Sequence, residues 1–124
     1  MSEKTTLRSC AVINDLSGFG RCALNITIPV MSAQGIRVLS VPTAVLSNHT
    51  AFDEYYFRDL TDGMEEYLAN WKKLGLRYDG IYTGFLGDAR QVEIISDFIK
   101  TSKGENTLLF VDPVMGADGK LYST

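Results

Sequence analysis

Residues 8–24, RSCAVINDLSGFGRCAL, join a short apolar run to a segment that carries a hydroxyl and two glycines. The apolar part, 8–14, predicts a β-strand. Gly18 and Gly20 predict that the chain leaves this strand through a glycine loop at 15–20. Glycines allow backbone N–H groups to approach a ligand closely, so this loop is the first candidate for a binding segment.

The segment 21–34 predicts a helix directly after this loop. Leu24, Ile28 and Met31 lie at helical spacing. Pro29 opposes the assignment, because proline inside a helix costs about 3 kcal/mol and kinks it. We still assign a helix, since a strand, a glycine loop and a helix together form one β–α unit.

Three further apolar runs predict strands, at 36–46, 79–83 and 107–111. Pro42 cannot donate to a ladder, so the first of these is expected to end or bulge there. The last run is almost continuously apolar, which predicts a strand covered on both faces. The longest irregular piece is expected at 47–61, and long ordered loops of this kind often carry function.

Two amphipathic segments predict helices between these strands. The first is expected to be capped by Asp62 and to stop at Gly75, and the second to be capped by Asp88 and to stop at Gly104. The predicted buried faces are Met64, Tyr67, Leu68, Trp71 and Leu74 in the first, and Val92, Ile95, Phe98 and Ile99 in the second. Alternating strands and helices predict an α/β fold, with helices on the faces of a parallel sheet.

Composition narrows the class of protein. The chain has 124 residues, enough for one modest domain, with 12 basic and 15 acidic side chains and a formal charge of −3. This balance argues against nucleic-acid binding, and no apolar run approaches the roughly 20 residues of a membrane-spanning helix. We therefore expect neither nucleic acid nor a membrane as a partner. The low number of cysteines, two, and the lack of a secretory signal predict a cytoplasmic protein.

In sheets of this kind, ligands bind beyond the carboxyl ends of the strands. That rule selects four polar segments: 15–20, 47–50, 84–88 and 112–119. The first contains neither the G-x-G-x-x-G of a dinucleotide site nor the G-x-x-x-x-G-K-[ST] of a P-loop. The residues therefore predict a polar site at the strand ends without naming its ligand.

Three side chains in these segments have competing interpretations. Ser17 is either a ligand contact or a cap for the following helix. His49 is the only histidine, and without a nearby cysteine or histidine cluster it indicates a polar contact rather than a metal site. Asp112 either orients hydrated Mg²⁺ and polyphosphate or caps its own loop, and Pro113 favours an extended Asp112 directed into the crevice.

The blocks DLSGFGRCAL (15–24), PTAVLSNHT (42–50), YTGFLGD (82–88) and VDPVMGADGKLY (111–122) are together far more specific than any one of them. In order and spacing they resemble the N-terminal half of pyridoxal kinases, in the ribokinase-like superfamily. The resemblance implies a three-layer, Rossmann-like α/β fold with a mainly parallel sheet. It also implies ATP-dependent, Mg²⁺-assisted phosphorylation of the 5′-hydroxyl of pyridoxal or a related vitamin B6 form, giving pyridoxal 5′-phosphate.

Residue roles follow from the resemblance position by position. It implies vitamer contacts from Ser17, Gly18, Phe19, His49, Thr50 and Phe85, and nucleotide or metal contacts from Asp112, Asp118 and Tyr122. Asp112 is the residue that would act through Mg²⁺. Phe85 stands where the family commonly has a tyrosine, so the ring face is kept and the hydroxyl is lost.

One departure from the family is large. Its members are about twice as long, and their C-terminal half carries a G-T-G-D type motif that supplies an anion hole and the catalytic base. Residues 1–124 contain no such motif, so we expect them to be the N-terminal part of a larger, homodimeric kinase, with no catalytic base of their own. Two alternatives stay open: a hydroxymethylpyrimidine kinase of the same superfamily, and a non-catalytic fragment that binds the vitamer or oligomerises.

Overall fold

The computed structural model describes residues 7–121, which form a five-stranded sheet, three helices and a small hairpin. The bounds are β1 Arg8–Phe19, α1 Ala23–Ala33, β2 Ile36–Asn48, β3 Phe57–Asp59, α2 Met64–Leu74, β4 Gly80–Thr83, α3 Ala89–Ser102, β5 Leu108–Val111, β6 Gly116–Ala117 and β7 Lys120–Leu121. The sheet order is β3-β2-β1-β4-β5, and only β3 runs antiparallel to its neighbour. The predicted mainly parallel α/β fold is confirmed.

Side chains of β1 alternate between two cores, because successive residues of a strand point to opposite faces. Ala11 and Ile13 pack into one core beneath α2 and α3, and Cys10 and Val12 pack into another beneath α1. The sheet is therefore the middle of three layers, as expected for the ribokinase-like fold.

Helix α1 forms despite Pro29, as predicted. The loop expected at 15–20 is wrong, because β1 continues to Phe19 and pairs with β2 as far as Asn48. Ladder hydrogen bonds with a neighbouring strand satisfy the backbone there and outweigh the turn preference of the glycines.

Strand β2 does not end at Pro42, but it is irregular there. Asn14 pairs with Pro42 and Leu16 pairs with Val45, so β2 contains one extra residue and bulges. The bulge was one of the two predicted outcomes. The irregular segment expected at 47–61 also contains a strand, β3, which adds to the edge of the sheet.

The two amphipathic helices end close to their predicted limits. Asp88 caps α3 by accepting a hydrogen bond from the backbone N–H of Arg90, and Gly75 ends α2. Gly63, rather than Asp62, occupies the N-cap of α2. Three residues that were assigned to buried faces are exposed: Tyr67, Leu74 and Val92.

Strand β5 differs most from its prediction. Its sequence indicated a strand covered on both faces, yet Leu108, Phe110 and Val111 are 64%, 59% and 62% exposed. These side chains are exposed because β5 pairs with β4 on one side and forms an edge of the five-stranded sheet on the other. An apolar sheet edge of this kind is a surface that further polypeptide normally covers. Within residues 7–121, no helix is long and apolar enough to cross a membrane.

Replacing Ile81 by alanine should lower the free energy of unfolding by about 2–5 kcal/mol, because Ile81 is fully buried in the central sheet and its removal leaves a cavity. Leu108→Ala is the matched control, since it deletes as many carbons from the neighbouring strand at an exposed position. The control should cost less than about 1 kcal/mol in urea denaturation. Equal losses in the two variants would contradict the assigned core.

Candidate active site

A cavity of about 690 Å³ lies where four parallel strands of the sheet end. Five of the side chains singled out by the sequence line it together: Ser17, His49, Thr50, Phe85 and Asp112. Ser17 belongs to β1, and the others follow β2, β4 and β5. The rule that parallel strands present their carboxyl ends to one crevice thus brings together residues that are far apart in sequence.

Four other predicted residues are placed differently. Gly18 and Phe19 do not line the cavity; the ring of Phe19 is exposed and packs against Phe52. Asp118 lies in the turn between β6 and β7, away from the cavity lining. Tyr122 lies outside the described residues.

Ser17 and Asp15 form a polar pair in the cavity wall. Ser17 is almost fully buried, and its hydroxyl donates to Oδ2 of Asp15 over 3.3 Å. Burial raises the pKa of the Asp15 carboxyl above its ordinary value, while hydrogen bonds from its own backbone N–H and from Ser17 partly offset this. Asn25 of α1 fixes the backbone nearby, because its amide donates to the carbonyl oxygen of Ser17.

Asn14 ties the end of β1 to the segment after β4. Its Oδ1 accepts hydrogen bonds from the backbone N–H groups of Asp15 at 3.0 Å and Phe85 at 3.1 Å. A Cβ at Gly84 would lie 2.4 Å from Nδ2 of Asn14, so only glycine permits this approach. Asn14 therefore sets the distance between the Ser17 wall and the Phe85 wall.

His49 is held on three sides. Its Nδ1 accepts from the backbone N–H of Ala51 at 3.3 Å, its ring lies 4.8 Å from that of Phe52, and its Cδ2 leaves no room for a Cβ at Gly20. Because Nδ1 is an acceptor, the hydrogen of the neutral ring resides on Nε2. His49 can therefore donate a hydrogen bond to a ligand from Nε2.

Phe85 contributes an aromatic face to the cavity. Its ring meets Phe57 edge-on at 6.2 Å, and its carbonyl oxygen accepts from Oγ1 of Thr43. The same segment is held from behind by Gln91, which is fully buried and bonds to Gly87, Thr43 and Thr61. These contacts fix the position of the ring that a flat ligand would meet.

Asp112 follows β5, and its backbone N–H donates to the carbonyl oxygen of Thr83. The pKa of Tyr82 is raised, first by burial and then by the charge of Asp112, and both residues line the cavity. Within residues 7–121 no group of three or more His, Cys, Asp or Glu side chains could enclose a metal ion. A single carboxylate does fit Mg²⁺, which commonly takes one or two protein carboxylates and completes its shell with water and substrate phosphates.

Sequence reasoning missed several residues of this site. Asn14, Asp15, Arg21 and Tyr82 line the cavity, although none was proposed as a contact. The sequence did offer a signal for two of them, since Asn14 and Asp15 come where an apolar strand run ends. A polar side chain at such a point is either functional or needed for hydrogen bonding. Together these residues can hold a flat ring against Phe85 and meet polar substituents on several of its edges.

No protein-family model matches the chain, but individual proteins do. A pyridoxine/pyridoxal/pyridoxamine kinase of Bordetella avium (strain 197N) is 30% identical over 112 residues, which are 86% of this chain and 38% of that protein. The crystal structure of a pyridoxal kinase from Lactobacillus plantarum is 30% identical, with a TM-score of 0.86, over 95% of this chain and 42% of that one. Over most of its length the chain is therefore similar to pyridoxal kinases.

A further solved structure is similar over the same part of the chain. A protein of Bacteroides thetaiotaomicron VPI-5482, provisionally named a phosphomethylpyrimidine kinase and crystallised with pyridoxal, is 47% identical with a TM-score of 0.93. The match covers 95% of this chain and 41% of that chain. The chain thus spans about two fifths of the length of the pyridoxal kinases and related structures that it matches.

The raised pKa of Asp15 has a consequence for stability. A carboxyl whose pKa is higher in the folded state than in the unfolded state binds more protons when the protein is folded. Its contribution to the free energy of unfolding therefore falls as the pH rises from about 4, the ordinary pKa of an aspartate, through the raised pKa. Asp15→Asn does not titrate and still offers an oxygen to Ser17. The variant should therefore gain stability relative to wild type as pH increases.

Urea denaturation of both proteins between pH 4.5 and 7.5 measures this difference. Glu93→Gln, an exposed change of the same charge on α3, is the control and should show a much smaller dependence on pH. A difference between Asp15→Asn and wild type that stays constant or shrinks with rising pH would contradict the raised pKa.

Proposed function

We propose that the protein containing this chain transfers the γ-phosphoryl group of ATP to the 5′-hydroxyl of pyridoxal or a related vitamin B6 form, in the cytoplasm. The products are pyridoxal 5′-phosphate and ADP. The observation that carries the proposal is the cavity in which Ser17, His49, Thr50, Phe85 and Asp112 meet, because the sequence resemblance to pyridoxal kinases implies ligand contacts at these positions. The kinship with vitamin B6 kinases supports it.

The vitamer is a flat ring with polar groups on several edges, and the cavity offers complementary chemistry. Phe85 provides a face on which the ring stacks. Nε2 of His49 donates to a polar substituent, with the hydroxyl of Thr50 beside it. Ser17 meets the ring nitrogen from the β1 wall. Phosphoryl transfer depends mainly on positioning and charge stabilisation, so a rigid cradle of this kind is the contribution expected from a binding half.

Asp112 is the residue of this chain that would hold Mg²⁺ together with the phosphates of ATP. The ion supplies neutralisation of the phosphate charge that develops during transfer. The exposure of Asp112 suits this role, since most of the remaining ligands would be water and phosphate oxygens.

We assign two parts of the catalytic machinery to polypeptide other than residues 1–124: the anion hole, and the base that deprotonates the 5′-hydroxyl. The apolar edge of β5 supports this division, because Leu108, Phe110 and Val111 form a strand that is suited to burial. A parallel strand added there would extend the sheet and bring new loops to the cavity. Formation of a homodimer stays a prediction, which sedimentation of the purified protein tests.

Two other functions have specific support. The Bacteroides relative carries the name of a phosphomethylpyrimidine kinase, which favours a hydroxymethylpyrimidine as a second candidate substrate. The exposed β5 edge favours a chain that binds the vitamer or self-associates without catalysis. A panel of pyridoxal and hydroxymethylpyrimidine as substrates separates the first alternative from the main proposal.

The 124-residue chain should bind pyridoxal and show negligible ATP turnover, because the vitamer cradle is present and the base is not. Isothermal titration with pyridoxal and an ADP-release assay on the same preparation check both parts. Robust turnover by this chain would contradict the assignment of the base to other polypeptide, and absence of binding would contradict the cradle.

In a protein that includes the completing polypeptide, Asp112→Asn should lower kcat by about 10²-fold or more, because removal of one charged group that stabilises the transition state has effects of this size. The affinity for pyridoxal should change by less than about threefold. Glu93→Gln is the control, since it also replaces a carboxylate by an amide, at an exposed position of α3 outside the cavity lining. Unchanged turnover in Asp112→Asn would refute its role with Mg²⁺.

A further inference from the structure

A carboxylate without a cationic partner lies in the wall of the cavity. Asp15 is about half-buried, and within residues 7–121 the ion pair at Arg90 and Asp62 is the only one, so no described cation lies within 4 Å of Asp15. A buried charge without a partner is costly, and a ligand that brings a positive charge would remove that cost.

The hydroxyl of Ser17 determines what kind of ligand atom fits next to it. A serine hydroxyl has one hydrogen, and that of Ser17 is donated to Oδ2 of Asp15 at 3.3 Å. The hydroxyl oxygen can then only accept from the ligand. A neutral pyridine nitrogen is also only an acceptor, so it would find no donor here, whereas the N–H of a protonated ring nitrogen would donate to Oγ of Ser17.

We propose that Asp15, acting through Ser17, makes the site selective for the vitamer whose ring nitrogen carries a proton. This rests on the proposed function, which places the vitamer ring in the cavity. The N–H of the ring donates to Oγ of Ser17, and the positive charge faces the Asp15 carboxylate. Hydrogen bonds between charged partners are roughly twice as strong as neutral ones, so the pair favours the cationic ring over the neutral ring.

Other titratable groups face the same cavity from the neighbouring elements. Arg21 and Cys22 precede α1, His49 follows β2, Tyr82 belongs to β4 and Asp112 follows β5. Arg21 is exposed, so water screens its charge, and Asp112 adds to the attraction for a cation. Burial, which already raises the pKa of Asp15 in the free protein, shows that the carboxylate is poorly solvated and would respond to a nearby cation.

Binding of pyridoxine to the 124-residue chain tests the proposal, because pyridoxine has no aldehyde that could react with lysines. Its absorption spectrum distinguishes a protonated from a neutral ring. In the wild type, bound pyridoxine should keep its ring proton at least one pH unit higher than free pyridoxine. Asp15→Asn should lower the affinity about tenfold and remove this shift, and Ser17→Ala should also remove it.

Two controls separate charge recognition from general damage. The benzene analogue of pyridoxine, with C–H in place of the ring nitrogen, should bind wild type and Asp15→Asn within about twofold. Glu93→Gln should behave as wild type in every measurement. If Asp15→Asn failed to fold, judged by circular dichroism, Ser17→Ala alone would decide the outcome from the ring spectrum.

The possible failures are distinguishable. If the wild type bound no pyridoxine, the proposed function and this inference would both be overturned. If it bound pyridoxine but Asp15→Asn bound equally tightly with an unchanged ring spectrum, only the role of Asp15 would be overturned.

Discussion

The parallel pairing of β2, β1, β4 and β5 brings the candidate site residues of this chain together. Each of these strands ends at the same edge of the sheet, and its polar residues follow directly. Without this pairing, Ser17, His49 and Phe85 would belong to unrelated surface loops. The long ladder between β1 and β2 also makes the β1 wall rigid, since it continues to Phe19 instead of ending before Ser17.

Much of the fold could be predicted because its signals are local. Helical spacing of apolar residues located α1, α2 and α3, and apolar runs located β2, β4 and β5. The glycines after β1 were misleading, because a ladder partner that is distant in sequence satisfied the backbone there. The exposure of β5 could not be read from its residues either, since their apolar character reflects suitability for burial rather than the actual position at the sheet edge.

The site was predictable to a similar degree. The four segments selected at predicted strand ends contain five members of the cavity wall, because parallel topology brings strand ends together, and the family resemblance singled out these residues within them. Asn14 and Gln91 were not identified, since their importance depends on hydrogen bonds to Phe85 and Gly87 that only the folded chain forms. Asp15 lay in the selected segment 15–20, but no ligand contact was assigned to it. Its significance comes from burial and from the direction of one hydroxyl hydrogen.

The open edge of β5 has a practical meaning for anyone who handles this polypeptide. Unpaired backbone groups flanked by large apolar side chains form a template on which any extended peptide of suitable character can add as a strand. The edge that would favour self-association of residues 1–124 would also suit them to be one half of a split reporter, completed by a strand supplied in trans.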